Sequence, residues 1–137
     1  MSSYLADTSA WHRSSREGVV ERWIDLLLKR RIAMCSPVRL ELLYSARGRA
    51  DHAALRTRLG SLAELPLDRA ASRRADDVQA ALAERSQHRG PTTVDLYIAA
   101  IAELGRATLL HYDRRFDTIA RVTGQPTEWL APRGSLD

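Results

Sequence analysis

The acidic side chains best placed to do chemistry in this 137-residue chain lie far apart, yet each falls where an apolar segment ends or a helix begins. Asp7 follows Tyr4-Leu5-Ala6, Glu41 follows Ser36-Pro37, Asp95 follows Thr92-Thr93, and Asp113 follows Thr108-Leu109-Leu110. If the intervening segments alternate strand and helix, a parallel sheet carries its strand ends to one edge, where open α/β folds bind their ligands. Carboxylates gathered there repel one another unless a proton or a cation separates them, and hard oxygen donors of this kind suit Mg²⁺, with Mn²⁺ as the alternative. A metal so held lowers the pKa of bound water and offsets charge on a phosphate.

Each acid also has a purely structural explanation. Asp7 suits a helix cap, Asp95 the third helical position behind a capping Thr92, Glu41 an exposed helix face, and Asp113 the opening of a turn. The functional reading rests on their combination at successive element ends. Other polar candidates are weaker. His12, His52, His88 and His111 show neither metal-ligand spacing nor a nucleophile partner and are expected at the surface or a rim. Thr8 and Ser9 suit either a metal-bound water or phosphate, or a cap. There is no GxxxxGK[ST] or GxGxxG phosphate loop. Cys35, the only cysteine, sits in an apolar run as a structural thiol, and Trp11, Trp23 and Trp129 read as core or interface aromatics.

The elements that must position these acids follow from periodicity. Ser3 to Ala6 predicts a first strand and Asp7-Thr8-Ser9 a turn out of it. Val20, Trp23, Ile24, Leu27 and Leu28 mark one face of a helix over about Glu17 to Arg30. Ile32 to Cys35 is a short strand ended by Ser36-Pro37, which opens the helix that carries Glu41. A helix after Asp51 runs toward Gly60, and a longer one spans about Asp68 to Gln87. Thr93 to Leu104 is helical, Ala107 to Tyr112 a buried strand, Phe116 to Val122 a short helix, and Thr127 to Leu130 a last strand. From about residue 132 the tail is expected to fray.

The chain length and 45% hydrophobic content suit one compact domain over residues 1–137. No apolar run reaches the length of a membrane span and the N-terminus lacks signal-peptide features, so the protein is expected in the cytoplasm. The net charge of +4 comes almost wholly from arginine, Lys29 being the only lysine. Short arginine clusters suit either phosphate contacts or plain solvated faces.

At the acids themselves the chain resembles a known family. Leu5-Ala6-Asp7-Thr8-Ser9, Ser36-Pro37-Val38-Arg39-Leu40-Glu41, Thr93-Val94-Asp95-Leu96-Tyr97-Ile98-Ala99-Ala100 and Leu110-His111-Tyr112-Asp113-Arg114-Arg115-Phe116 together are similar to a PIN domain of the VapC toxin type. The resemblance covers nearly the whole chain. It implies a three-layer α/β/α sandwich with a mainly parallel sheet, and a metal-dependent endoribonuclease that leaves a 5′-phosphate and a 3′-hydroxyl. Such toxins are usually homodimeric and neutralised by a cognate VapB-type antitoxin. Asp7, Glu41, Asp95 and Asp113 are the implied catalytic and metal-binding acids.

One departure stands out. The fourth motif in such toxins is often Thr-x-Asp-x-Asp-Phe, whereas here His111 replaces the Thr and Arg115 stands where a second Asp is common. Asp117 is a partial substitute, and one or two cations remain open. Two competitors are weighed against the nuclease. A phosphotransfer receiver domain also gathers acids around Mg²⁺, but it needs a late lysine that this chain lacks. A catalytically silent PIN domain that binds RNA or protein has its cue in Arg115.

Overall fold

The computed structural model describes residues 3–136. The apolar run at the start forms β1 (Tyr4–Ala6), followed by α1 (Thr8–Arg13), α2 (Val20–Leu28), β2 (Ile32–Ala33), α3 (Ser36–Tyr44) and α4 (Arg49–Leu59). Then come α5 (Arg69–Glu84), α6 (Thr93–Leu104), β3 (Thr108–His111), α7 (Arg115–Thr123) and β4 (Thr127–Trp129). The strands form one parallel sheet in the order β2-β1-β3-β4.

Strand alternation divides the core into two layers. Leu5, Ala33 and Leu109 face one way, where α3, α5, α6 and α7 contribute Val38, Leu82, Ile98, Ile101, Phe116 and Ile119. Ala6, Ile32 and Leu110 face the other way, against Ala10 of α1 and Trp23 and Leu26 of α2. Helices on both faces make the three-layer α/β/α sandwich that the resemblance implied. Among the described residues no helix is long and apolar enough to cross a membrane.

The sheet order matters for function. From β1 the chain moves outward to β2, then crosses back to place β3 on β1's other side. The carboxyl ends of β1 and β3 therefore lie side by side at a switch point, where the crossovers diverge and leave a crevice. Asp7 and Asp113 emerge from these two ends.

Three expectations are corrected. The turn expected at Asp7-Thr8-Ser9 is the start of α1, a six-residue helix that buries only Ala10 and so leaves no periodic signature. The helix expected from Glu17 begins at Val20, because residues 14–19 are spent turning the chain back. The tail expected to fray is held: the Leu136 N–H donates to Tyr112 Oη at 2.9 Å, its carbonyl accepts from Arg16 Nη1, and its side chain packs on the second core layer.

Candidate active site

Asp7 extends the strand ladder by one residue, its N–H reaching the Leu110 carbonyl at 3.0 Å. Its side chain then caps α1: Oδ1 accepts from the Ala10 N–H at 3.3 Å and from Ser9 Oγ at 2.7 Å, and Oδ2 accepts from the Ser9 N–H at 3.2 Å. Ser9 Oγ also accepts from the Tyr112 N–H at 2.8 Å, tying the ends of β1 and β3 together. The carboxyl is only 5% exposed. Burial pushes its pKa up to about 7, with the Asp95 charge adding to the rise and the bonds from Ser9 and Ala10 opposing it.

Asp95 enters from the start of α6, which begins at this edge and runs away from it to lead into β3. It completes a capping box: the Thr92 N–H donates to Asp95 Oδ2 at 2.8 Å, and the Asp95 N–H donates to Thr92 Oγ1 at 3.1 Å. Burial raises its pKa and Asp113 adds to the rise, while Thr92 and Arg115 oppose it. For Asp113 burial also acts upward, but the hydrogen bonds and charge of Arg115 outweigh it and hold the carboxyl below its usual range. These three aspartates influence one another's protonation, as gathered carboxylates must.

Arg115 binds the group together. Its N–H donates to Asp113 Oδ1 at 2.9 Å, and Nη2 and Nε reach Asp113 Oδ2 at 2.7 and 3.0 Å. Nε also lies 3.3 Å from Asp95 Oδ2. A guanidinium therefore stands between two of the acids, a cation among hard oxygen donors. The sequence marked Arg115 only as a departure from a motif; its place between Asp95 and Asp113 depends on tertiary structure.

Glu41 is set apart. It is exposed on α3, and its Oε1 accepts from Thr8 Oγ1 at 2.5 Å, so the residue after Asp7 links it to the edge. It lines a separate, largely apolar cleft of about 560 Å³ with Leu40, Tyr44, Leu67 and Val94. Among the described residues, no three His, Cys, Asp or Glu side chains are disposed to hold a metal ion as they stand.

Asp117 does not join the acids. Both of its oxygens accept from Trp129 Nε1 at 3.2 Å, and Oδ1 lies 3.8 Å from His111 Nε2. His111 corrects the expectation of a surface or rim position: it is fully buried in β3 between Phe116 and Trp129, and its Nδ1 accepts from the Asp113 N–H at 3.2 Å. Burial lowers its pKa, so it serves as a neutral support for the backbone of Asp113. A signal was available, since His111 continues the apolar run Leu109-Leu110. His12, His52 and His88 are exposed. Cys35 is buried, which pushes its thiol up to about 12 and leaves it inert.

The arrangement is an α/β/α domain in which Asp7, Asp95 and Asp113, but not Glu41, come near one another at the carboxyl edge of a parallel sheet. The model of the PIN domain matches residues 4–122, and the chain belongs to that family. Similar proteins include Ribonuclease VapC18 of Mycobacterium tuberculosis (strain ATCC 25618 / H37Rv), 44% identical over 135 residues that cover 97% of this chain and 98% of that protein. Ribonuclease VapC51 of the same strain is 40% identical over 134 residues, covering 98% and 97%. The fold matches a crystal structure of DNA-bound VapBC from Salmonella typhimurium with a TM-score of 0.76 at 23% identity, covering 96% of this chain and all of that one. It also matches VapBC-5 from Mycobacterium tuberculosis, with a TM-score of 0.66 at 23% identity over 94% and 98% of the two chains.

Proposed function

We propose that this protein is a metal-dependent endoribonuclease toxin that hydrolyses RNA phosphodiester bonds and is neutralised by a cognate VapB-type antitoxin. The observation that carries the reading is that Asp7, Asp95 and Asp113 lie near enough to act on one another's charge in turn at the sheet's switch point, with one guanidinium bridging Asp95 and Asp113. The ribonuclease names of relatives 37–44% identical over almost the full chain support it.

The residues suit Mg²⁺ or Mn²⁺ because the donors are carboxylate oxygens and two of them already hold a cationic guanidinium. Asp7, Asp95 and Asp113 would hold the metal, which supplies an activated water and offsets charge on the phosphate. Arg115 must leave Asp95 and Asp113, and its half-exposed side chain has room to do so. Glu41, oriented by Thr8 Oγ1, positions the attacking water at its carboxylate. In the reaction the water oxygen bonds to phosphorus, the bond from phosphorus to the 3′ oxygen breaks, and the proton released by water balances the one taken up by the leaving 3′ oxygen as it becomes a hydroxyl. The caps on Asp7 and Asp95 fix both carboxylates in advance, so little ordering is left for the moment of reaction.

The cleft beside Glu41 is the proposed seat of the antitoxin. Leu40 and Tyr44 are 63% and 92% exposed there, an apolar ledge that an amphipathic segment would cover while reaching the acids. The toxin is proposed to act as a homodimer. One observation favours a second reading, a silent RNA- or protein-binding PIN domain: Arg115 neutralises the site from within. Incubating purified protein with RNA and Mg²⁺ decides between them. Cleavage with ligatable 5′-phosphate ends, lost in Asp7→Asn, is expected; intact RNA would establish the silent form.

A further inference from the structure

A cleft of about 750 Å³ opens at Asp113 and runs away from the acids between the start of α7, the turn after α5 and the C-terminal segment. Arg114, Arg115, Arg121 and Arg133 line it, with Ser86 and Gln87 across from them. Arg115 is committed to Asp113 and Asp95, but Arg114, Arg121 and Arg133 are exposed and form no ion pair among the described residues. Elsewhere Arg22, Arg39 and Arg74 each meet a glutamate. The remaining acid in the cleft, Asp117, is engaged by Trp129.

The placement of these arginines is built in. Arg114, the N-cap of α7, stands in line with Thr118 and Arg121 on one face of that helix, about 10 Å separating Arg114 from Arg121 along the axis. Arg133 is brought over Trp129, 5.9 Å from its ring, by the tail that Leu136 fastens to Tyr112. A carboxylate site repels a phosphate chain, so a strand can be delivered to it only along a surface of opposite sign. This cleft is such a surface, and it is continuous with Asp113.

We propose that the cleft is the track for the phosphate backbone of single-stranded RNA on one side of the scissile bond, with Arg121 and Arg133 as phosphate contacts. The proposal rests on the nuclease reading above. Its test measures binding of a short fluorescein-labelled single-stranded RNA to the full chain in chelator by anisotropy over a range of salt concentrations. Arg121→Ala/Arg133→Ala is compared with Arg56→Ala/Arg58→Ala, which removes the same charge from exposed sites on α4. The track double variant is expected to bind about tenfold more weakly and to lower the salt slope by about 1.4, as two lost single-strand phosphate contacts require. The α4 variant should retain the parent slope. Equal affinity and slope in both variants would overturn the track, as would unchanged RNA binding with loss of antitoxin copurification, which would make the cleft a protein interface. If wild-type protein cleaves RNA but the track variant binds it normally, only the track fails. If wild type does not cleave but the variant still binds more weakly, only the nuclease reading fails.

Discussion

Arg115 Nη2 lies 2.7 Å from Asp113 Oδ2, while its Nε reaches 3.3 Å from Asp95 Oδ2, so one side chain neutralises two acids that must otherwise repel. A divalent cation and this guanidinium compete for the same oxygens. Arg115→Ala should therefore bind Mn²⁺ about tenfold more tightly than wild type, about 1.4 kcal/mol, by calorimetry without RNA. Arg115→Asp should bind it more tightly still, and unchanged affinity in both variants would mean that the cation sits elsewhere.

The pH dependence of stability follows from Asp7. Its carboxyl titrates at about 7 in the folded chain against 3.8 unexposed to the fold, so between those values the native state holds a proton that the unfolded state releases. Stability therefore falls as pH rises through that window. Asp95 is shifted in the same direction, whereas Asp113, shifted down, withdraws stability only as pH falls below the ordinary carboxylate range. In chelator, the stability difference between wild type and Asp7→Asn should shift against wild type by up to about 4 kcal/mol from pH 4 to 8; the buried, neutral His111 acts in the opposite direction in both and cancels. Parallel melting profiles for the two would show that Asp7 does not titrate in this way.

The caps separate catalysis from folding. Asparagine keeps an acceptor oxygen for the Ala10 N–H at position 7 and for the Thr92 N–H at position 95, yet it carries no charge. Asp7→Asn and Asp95→Asn should abolish RNA cleavage while melting in chelator at or above the wild-type temperature. Asp7→Ala should cost about 1 kcal/mol through the lost cap. Ile98→Ala, at a side chain that is 1% exposed, should cost about 2–5 kcal/mol. A strongly destabilised asparagine variant would assign the acid to structure alone.

The ledge beside Glu41 gives a separate prediction. Leu40→Asp/Tyr44→Asp should prevent copurification with the antitoxin while leaving RNA cleavage within about twofold, because both side chains are exposed and outside the acid cluster. Retained copurification would move the antitoxin to another face.

What could be read from the chain before folding depended on how local the signal was. Thr93 to Leu104 is the same helix in sequence and structure because Val94, Tyr97, Ile98 and Ile101 recur at helical spacing and all pack on one core layer. The runs ending at Ala6 and His111 are buried strands; Asp7 follows the first directly and Asp113 the second after Tyr112. α1 was illegible because six residues bury one alanine, and the fastened tail because Leu136 finds Tyr112 only through the fold. Asp7, Asp95 and Asp113 were legible as element ends. The engagement of Asp117 by Trp129 was not, since it depends on Gly124, whose φ of 71° turns α7 into β4 beside β3.

The central claim is that these carboxylates work by holding a divalent cation. Its most direct measurement is single-turnover cleavage of labelled RNA by wild type and Asp95→Asn after chelation, followed by titration of Mg²⁺ back into each. The expected result is no cleavage in chelator, saturable recovery for wild type and none for Asp95→Asn. Undiminished wild-type cleavage in excess chelator, or full recovery by Asp95→Asn, would contradict it.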